Sequence, residues 1–404
     1  MRHVAQGTEF DKEGKMKKVL VFTGSRANYS STRSIMKAVL EHPELELQTV
    51  VGGAALLDRY GNIEKLMAED DIPIHAKFYM ILEGETPATM AKSTGLGLID
   101  LSMIFDNLTP DVVVIVGDRF DVLAPTIAAA YMNIPIAHTM GGEVSGTIDE
   151  SIRHAITKFA HIHFPANDDA RERIIKMGER PETVFNVGCP RMDLVREKLE
   201  DFNSTPIDQS EFFATFKGVG GEFDIEQEKF LLVSQHPVTT EFGNNRIAIE
   251  ETLYALKELA MPTIMLWPNA DAGSDEISKG IRSFREKYQP EWLHLFTNLP
   301  FEVYMRLMSL TACLVGNSSS AVREGSFIGT PAVDVGSRQQ KRMKGLNLME
   351  VPSERNAVAE AIRQQLTNGR YAGAALYGDG AAGWKIADIL AKTEVPNVQK
   401  VINY

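Results

Sequence analysis

The sequence predicts an α/β protein made of two doubly wound parallel sheets in tandem. Three observations predict it. Short continuous apolar runs rich in Val, Ile and Leu recur along most of the chain, as strands buried on both faces require. Helix-length stretches separate them, with Gly or Pro-Asp turns at the joins. The alternation lapses once, from about 200 to 228, and then restarts. Two such domains facing each other would hold a ligand in the crevice beyond their strand C-termini.

In chain order, residues 1–16 carry charges but no apolar signal core, and read as a solvated tail before Met16-Lys17-Lys18. Val19-Leu20-Val21-Phe22 is the first strand. Gly24-Ser25-Arg26-Ala27-Asn28-Tyr29-Ser30 follows, where Gly24 lets the backbone approach a ligand and Arg26 and Ser30 would face it. This is no dinucleotide fingerprint, because G-x-G-x-x-G is absent. Strands at Leu47–Val51 and Val112–Val116 come next. The second ends in Gly117-Asp118-Arg119-Phe120-Asp121, and two acids with an arginine at a strand end are hard to explain as packing.

Ile134–Ala137 and His161–Phe164 continue the pattern. Between them stands the stretch His138 to Glu150, with Glu143 and Asp149 among Gly141, Gly142 and Gly146. Thr147 and Glu150 form a capping box for a helix carrying Arg153, His154 and Lys158. Asp149 either supports that helix and pairs with Arg153 one turn on, or serves chemistry. His161 and His163 alternate on a strand and are expected in the core, with no metal site, since no carboxylate or Cys completes one.

Asn203-Ser204-Thr205-Pro206 and the Gly218–Gly221 cluster read as a domain junction plus a helix. A second parallel unit follows, with strands at Phe230–Val233, Thr263–Leu266, Leu293–Phe296, Cys313–Val315 and Ala332–Val335. The expected division is 17–200, 201–376 and a last turn and helix over 377–404 that returns to the first domain.

The second unit carries the anion-binding signal. Gly316-Asn317-Ser318-Ser319-Ser320 joins a strand to a helix-like segment, and the unpaired backbone N–H groups there suit a phosphate. Ala332–Val335 then delivers Gly336-Ser337-Arg338 to the same sheet edge. Glu324 can accept both hydroxyls of a ribose, or pair with Arg323 or Lys341. Arg338 can fork onto a diphosphate, or stand as a surface cation. His236, at a strand end and stiffened by Pro237, suits proton transfer or phosphate contact. Asn269 holds the equivalent place after the next strand, as a ligand donor or a turn former.

Bulk properties narrow the classes. The 404 residues are 44 % hydrophobic and 24 % charged, as in soluble globular proteins. A net charge of -12 argues against a nucleic-acid or anionic-membrane surface. No apolar run approaches the roughly 18–20 residues that span a bilayer. Two distant cysteines, Cys189 and Cys313, point to a reducing, cytoplasmic setting without disulfides.

Taken together, Gly117-Asp-Arg-Phe-Asp121, Gly141 to Asp149, Ile152 to Lys158, Gln235 to Thr240, Asp271 to Ser274 and Tyr377 to Gly380 resemble the hydrolysing UDP-N-acetylglucosamine 2-epimerases. The resemblance runs from about Lys17 to about residue 392. It is strongest to the epimerase half of the animal bifunctional epimerase/N-acetylmannosamine kinase and to bacterial sialic-acid-pathway enzymes. It implies a GT-B fold, no cofactor, and a homodimer or homotetramer. It implies removal of the C2 proton with loss of UDP from C1, then water addition to the glycal, giving N-acetylmannosamine. Carried over by position, Arg26, Ser30, Arg119, His236, Asn269, Ser318, Ser319, Glu324 and Arg338 hold UDP, with Glu324 on the ribose and Ser318-Ser319 on the phosphates. Asp118 and Asp149 match catalytic acids, and Glu143 and His236 complete the expected catalytic set.

Two positions depart from the pattern. Relatives often carry glutamate where Met140 stands and histidine where Ala55 stands. Met140 cannot move protons. Either the site is rewired around the same sugar, or it takes a less polar hexose such as a 2,4-diacetamido-2,4,6-trideoxyhexose of legionaminic-acid-type pathways. A GT-B glycosyltransferase, a non-hydrolysing epimerase and a non-catalytic nucleotide-sugar binder are the competing readings.

Overall fold

The computed structural model describes residues 16–57, 63–82, 87–144, 148–202, 207–216, 218–238, 243–268, 273–394 and 398–402. The tail over 1–15, Thr147, 203–206, Thr239-Thr240, Asn269 and Asp271-Ala272 lie outside the described residues.

Two sheets form. The first contains β1 (Lys17–Thr23), β2 (Leu45–Val51), β3 (Ala76–Lys77), β4 (Val112–Val116), β5 (Ile136–Thr139) and β6 (Ile162–Phe164), in the order β3-β2-β1-β4-β5-β6. β1 is parallel to both neighbours, with Leu20 opposite Gln48 and Val113. Winding outward from β1 in both directions is the doubly wound topology. β3 escaped the sequence reading because two residues, one of them Lys77, carry no apolar run.

The second sheet contains β7 (Val219–Gly220), β8 (Leu231–Ser234), β9 (Thr263–Leu266), β10 (Leu293–Phe296), β11 (Cys313–Gly316), β12 (Ala332–Val335) and β13 (Leu348–Val351). Their order is β13-β12-β11-β8-β9-β10-β7. Core strands bury side chains on both faces. Phe230 and Leu232 join one cluster with Phe212, Phe213 and Phe296, while Leu231 and Val233 join another with Leu253 and Phe284. The Gly218–Gly221 cluster is more than a junction. Its β7 pairs antiparallel to β10, with His294 opposite Gly220. A Cβ on Gly218, Gly220 or Gly221 would meet atoms of Glu291 to Leu295 at 1.8–2.1 Å, so only glycines permit this edge.

The described chain divides into two compact units. One takes the chain up to Val116, Asp121–Ala137 and Gly383–Lys400; the other takes Gly117–Phe120 and His138–Ala382. In the first unit, Lys17 Nζ donates to the carbonyls of Leu390 (2.7 Å) and Thr393 (2.6 Å) beside the helix Ala382–Lys392. In the second, the Tyr377-Gly-Asp-Gly380 motif has a packing cause. A Cβ on Gly188 would come within 2.5 Å of Gly378 Cα, and Cys189 N donates to Tyr377 O at 2.6 Å.

Candidate active site

In the second unit, β8, β11 and β12 end side by side, and one residue ties their loops together. Gly316 has φ of 128°, and a Cβ there would lie 2.2 Å from Ser234 O. That close approach lets Asn317 N donate to Ser234 O at 3.1 Å. The buried Asn317 side chain then donates to His236 O (2.9 Å) and accepts from His236 N (2.7 Å). Its own carbonyl accepts from Arg338 Nη1 (3.1 Å) and Gln339 Nε2 (2.8 Å). Three sheet-edge loops thus converge on one amide.

The segment after the Ser-rich turn is two short helices, Ser319–Val322 and Glu324–Ile328, broken at Arg323. Ser318 caps the first by accepting from Ser320 N at 3.3 Å. Tyr304 Oη and Ser318 Oγ each lie 2.8 Å from Ser320 Oγ. The helical break puts Arg323 and Glu324 inside, where both are buried. Glu324 Oε1 pairs with Arg191 Nη1 at 3.3 Å, rather than with Arg323 or Lys341. Its Oε2 has no partner among the described residues. Burial, with Arg338 adding to it, pushes the His236 imidazole down to about 4, so it is neutral near pH 7.

The acids converge through arginines. Gly117, at φ of 90°, turns the chain out of β4 into Asp118. His138 lies 2.9 Å from Gly117 O through Nε2, which must therefore carry the proton. Its Nδ1 meets Thr157 Oγ1 at 3.2 Å. Burial holds this imidazole at about 3, against the raising effect of the Gly117 carbonyl, so it braces the turn as a neutral ring. Arg153 donates to Asp118 Oδ2 through Nε at 2.8 Å and also through Nη2, and to Glu143 O through Nη1 at 2.6 Å. The Glu143 carboxylate in turn pairs with Arg323 Nη2. Burial is the largest influence and opposes the Arg323 charge, but Glu143, Cys189, Tyr377 and Glu324 together outweigh it and hold the guanidinium above its ordinary range. Asp118, Arg153, Glu143 and Arg323 form one continuous hydrogen-bonded chain, joined between Arg153 and Glu143 through the Glu143 backbone carbonyl, that ends next to Glu324.

Met140 lines this chain without joining it. It adopts φ of 64°, a strained value for a non-glycine residue, and packs on the core containing Cys189 and Tyr377. Cys189 Sγ lies 3.9 Å from Met140 Sδ and 3.9 Å from Arg323 Nη1. The neighbouring Gly142 is required, since a Cβ there would sit 2.4 Å from Ala170 O.

The second unit therefore holds Asp118, Glu143, His236, Ser318, Ser319, Glu324 and Arg338 at or beside these two connected groups. Asp149 lies half-buried in the first turn of the helix Ile148–Phe159, which also presents Arg153. Arg119 is exposed, its guanidinium 5.9 Å from the Phe120 ring centroid. Arg26 and Ser30 belong to the first unit, on the helix Arg26–Glu41 that Ser25 caps. Ala55 is buried in that unit, in the turn Gly53–Leu56. Sequence reading named Asn317, Arg153 and Arg323 only as turn or local pairing residues, with no role in the site, and did not name Arg191. Their one visible trace is adjacency to residues that were given such a role, because each works through a partner distant along the chain. Chemically, the arrangement offers carboxylates for proton transfer beside guanidinium groups that suit an anion.

Comparison with known proteins identifies the fold and the family. Among curated relatives, the UDP-N,N'-diacetylbacillosamine 2-epimerase (hydrolyzing) of Legionella pneumophila is 31 % identical over 388 residues, 96 % of this chain and 98 % of the relative. The UDP-N-acetylglucosamine 2-epimerase of Neisseria meningitidis serogroup B is 30 % identical, covering 88 % of this chain and 89 % of its own. The crystal structure of UDP-GlcNAc 2-epimerase from Neisseria meningitidis bound to UDP-GlcNAc superposes with a TM-score of 0.76 at 17 % identity, over 94 % of this chain and all of that one. The Methanocaldococcus jannaschii enzyme in complex with UDP-GlcNAc and UDP gives 0.73 at 17 % identity, over 93 % of this chain and all of that one. The fold is of the GT-B type. The family profile described as UDP-N-acetylglucosamine 2-epimerase matches residues 37–391, and the chain belongs to that family.

Proposed function

We propose that the protein is a hydrolysing UDP-sugar 2-epimerase that converts UDP-N-acetylglucosamine and water to N-acetylmannosamine and UDP. A base removes the C2 proton as the C1–oxygen bond breaks and UDP carries away the electron pair. The resulting glycal then takes a hydroxyl at C1 and a proton at C2 on the opposite face. The chain Asp118–Arg153–Glu143–Arg323 supports this reading most, because it sets proton-transfer groups in the same unit as Ser318-Ser319, Glu324 and Arg338. Arg26, Ser30, Arg119, Asn269 and Asp149 complete the reading by family position. It assigns no cofactor.

Turnover of UDP-N-acetylglucosamine in deuterium oxide tests it. Free sugar with deuterium at C2, plus UDP, is expected. Return of intact UDP-sugar, a need for an acceptor, or binding without turnover would each replace this reading with one of its rivals.

Met140 favours a second reading. Its thioether, Cys189 and Tyr377 form an apolar wall next to Glu143 and Arg323, which suits a 6-deoxy, 4-acetamido hexose better than a 4,6-diol. The Legionella pneumophila relative, whose name specifies UDP-N,N'-diacetylbacillosamine, is consistent with it. Comparing kcat/KM for UDP-N-acetylglucosamine and UDP-N,N'-diacetylbacillosamine decides, and a preference for the first rejects the second reading.

The reading also includes a cytoplasmic homodimer or homotetramer. Exposed Ile99 and Met103 on the helix Pro87–Leu108, 63 % and 65 % accessible, support self-association. Among the described residues no helix is long and apolar enough to cross a membrane. Light scattering on the purified chain measures its assembly, and a monomer mass would remove that part.

A further inference from the structure

Arg342 stands on the loop after β12 that also carries Arg338 and Gln339, and its backbone N–H bonds Gln339 O at 3.1 Å. That loop is fastened over Asn317. The Arg342 guanidinium lies in the electrostatic field of Arg323, Glu143, Tyr377 and Arg153, which belong to the charged chain or pack against it. Its Nη1 is enclosed, yet no acceptor reaches it among the described residues. The side chain is only partly buried overall.

Charge matching leaves Arg342 over. Asp118 is taken by Arg153, and Glu143 by Arg323. Asp334 also lies in the field of Arg342, but neither of its oxygens receives a hydrogen bond. Burial, with Arg323 adding to it, lowers the Arg342 pKa, which is how a guanidinium short of counter-charge behaves. An enclosed guanidinium N–H without an acceptor is unfavourable unless a ligand completes it.

We propose that Arg342 is a further ligand-binding residue of this site, whose guanidinium receives a phosphate oxygen of the nucleoside diphosphate that the reaction releases. The proposal rests on the UDP-sugar reading above. As charge gathers on the departing diphosphate, a positioned cation holds it more strongly than it holds the intact substrate, so Arg342 acts on kcat as well as on binding.

Calorimetric titration of the wild type, Arg342→Gln and Arg342→Lys with UDP, uridine and inorganic diphosphate tests it, with melting curves recorded alongside. Arg342→Gln is expected to weaken UDP about 10- to 100-fold and to weaken inorganic diphosphate similarly, with uridine unchanged. Arg342→Lys should recover part of the loss as a point charge. Turnover should fall further than KM rises, and added guanidinium ion should rescue part of kcat in Arg342→Ala. A folded Arg342→Gln protein that binds UDP as the wild type does would overturn the proposal. If Arg342→Gln does not fold, an Arg342→Lys protein with wild-type affinity and kcat would overturn it equally. Wild-type protein that ignores UDP, while Arg342→Gln still lowers affinity for inorganic diphosphate, would reject the nucleotide-sugar reading and keep the anion site.

Discussion

Asp118 is the residue on which the proposed chemistry turns. Asn in its place keeps the shape but loses the charge that Arg153 grips and the capacity to carry a proton. Asp118→Asn is expected to reduce turnover by at least about 100-fold while UDP affinity, by titration, stays within about 2-fold. Undiminished turnover would remove Asp118 from the reaction. Asp334 offers a second test, of stability against pH. It is fully buried on β12 with both oxygens unpartnered among the described residues. Burial, with Glu350 adding and Lys344, Arg338 and Arg342 opposing, raises its pKa from 3.8 to about 7. A raised folded-state pKa means a contribution fully present below the unfolded value of 3.8 and lost as pH climbs through 7. Asp334→Asn should therefore melt like the wild type at pH 4 and higher than it at pH 8. Equal melting temperatures at pH 8 would contradict this. The acids and serines of the site stood out in sequence because polar residues clustered where apolar strands stopped. The arginines that orient them did not, since Arg153 reaches back 35 residues to Asp118 and Arg323 reaches back 180 to Glu143.

Among the elements, the turn out of β11 is the most constrained. Gly316→Ala would force a side chain against Ser234 O at a φ that only glycine adopts freely. We expect about 2–4 kcal/mol of destabilisation in denaturant melts, with weaker UDP binding as Asn317 moves. Wild-type stability would show that β8 and β11 can part. The same scale explains which strands were readable. β1, β2, β4, β8, β9, β10, β11 and β12 are buried runs with little polar interruption. β3, β7 and β13 lie at sheet edges, where half the surface faces away from the core and glycine, lysine and glutamate are tolerated. Edge strands carry the weakest pattern, so β7 in particular could not be told from a loop.

At the scale of the molecule, the family and the two-sheet design were open to a reader of the sequence, while the sugar was not. Specificity rests on what surrounds a hexose, and in the proposed reading Met140 would mark one side of that surrounding without naming its occupant. The helix Ala382–Lys392 gives a further test. Ile386, Ala387 and Leu390 are fully buried, so truncation before Gly383 strips an apolar layer from the first unit along with the carbonyls that Lys17 grips. Loss of cooperative melting, or of soluble protein, is expected, and a truncated chain that melts as the full one does would refute it. This arrangement also sets a timetable for synthesis. The strand β1 emerges from the ribosome hundreds of residues before the helix Ala382–Lys392 does, so the first sheet waits without that apolar cover while the second unit is made. Chaperones that shield nascent apolar surface would then stay longer on the first unit than on the second.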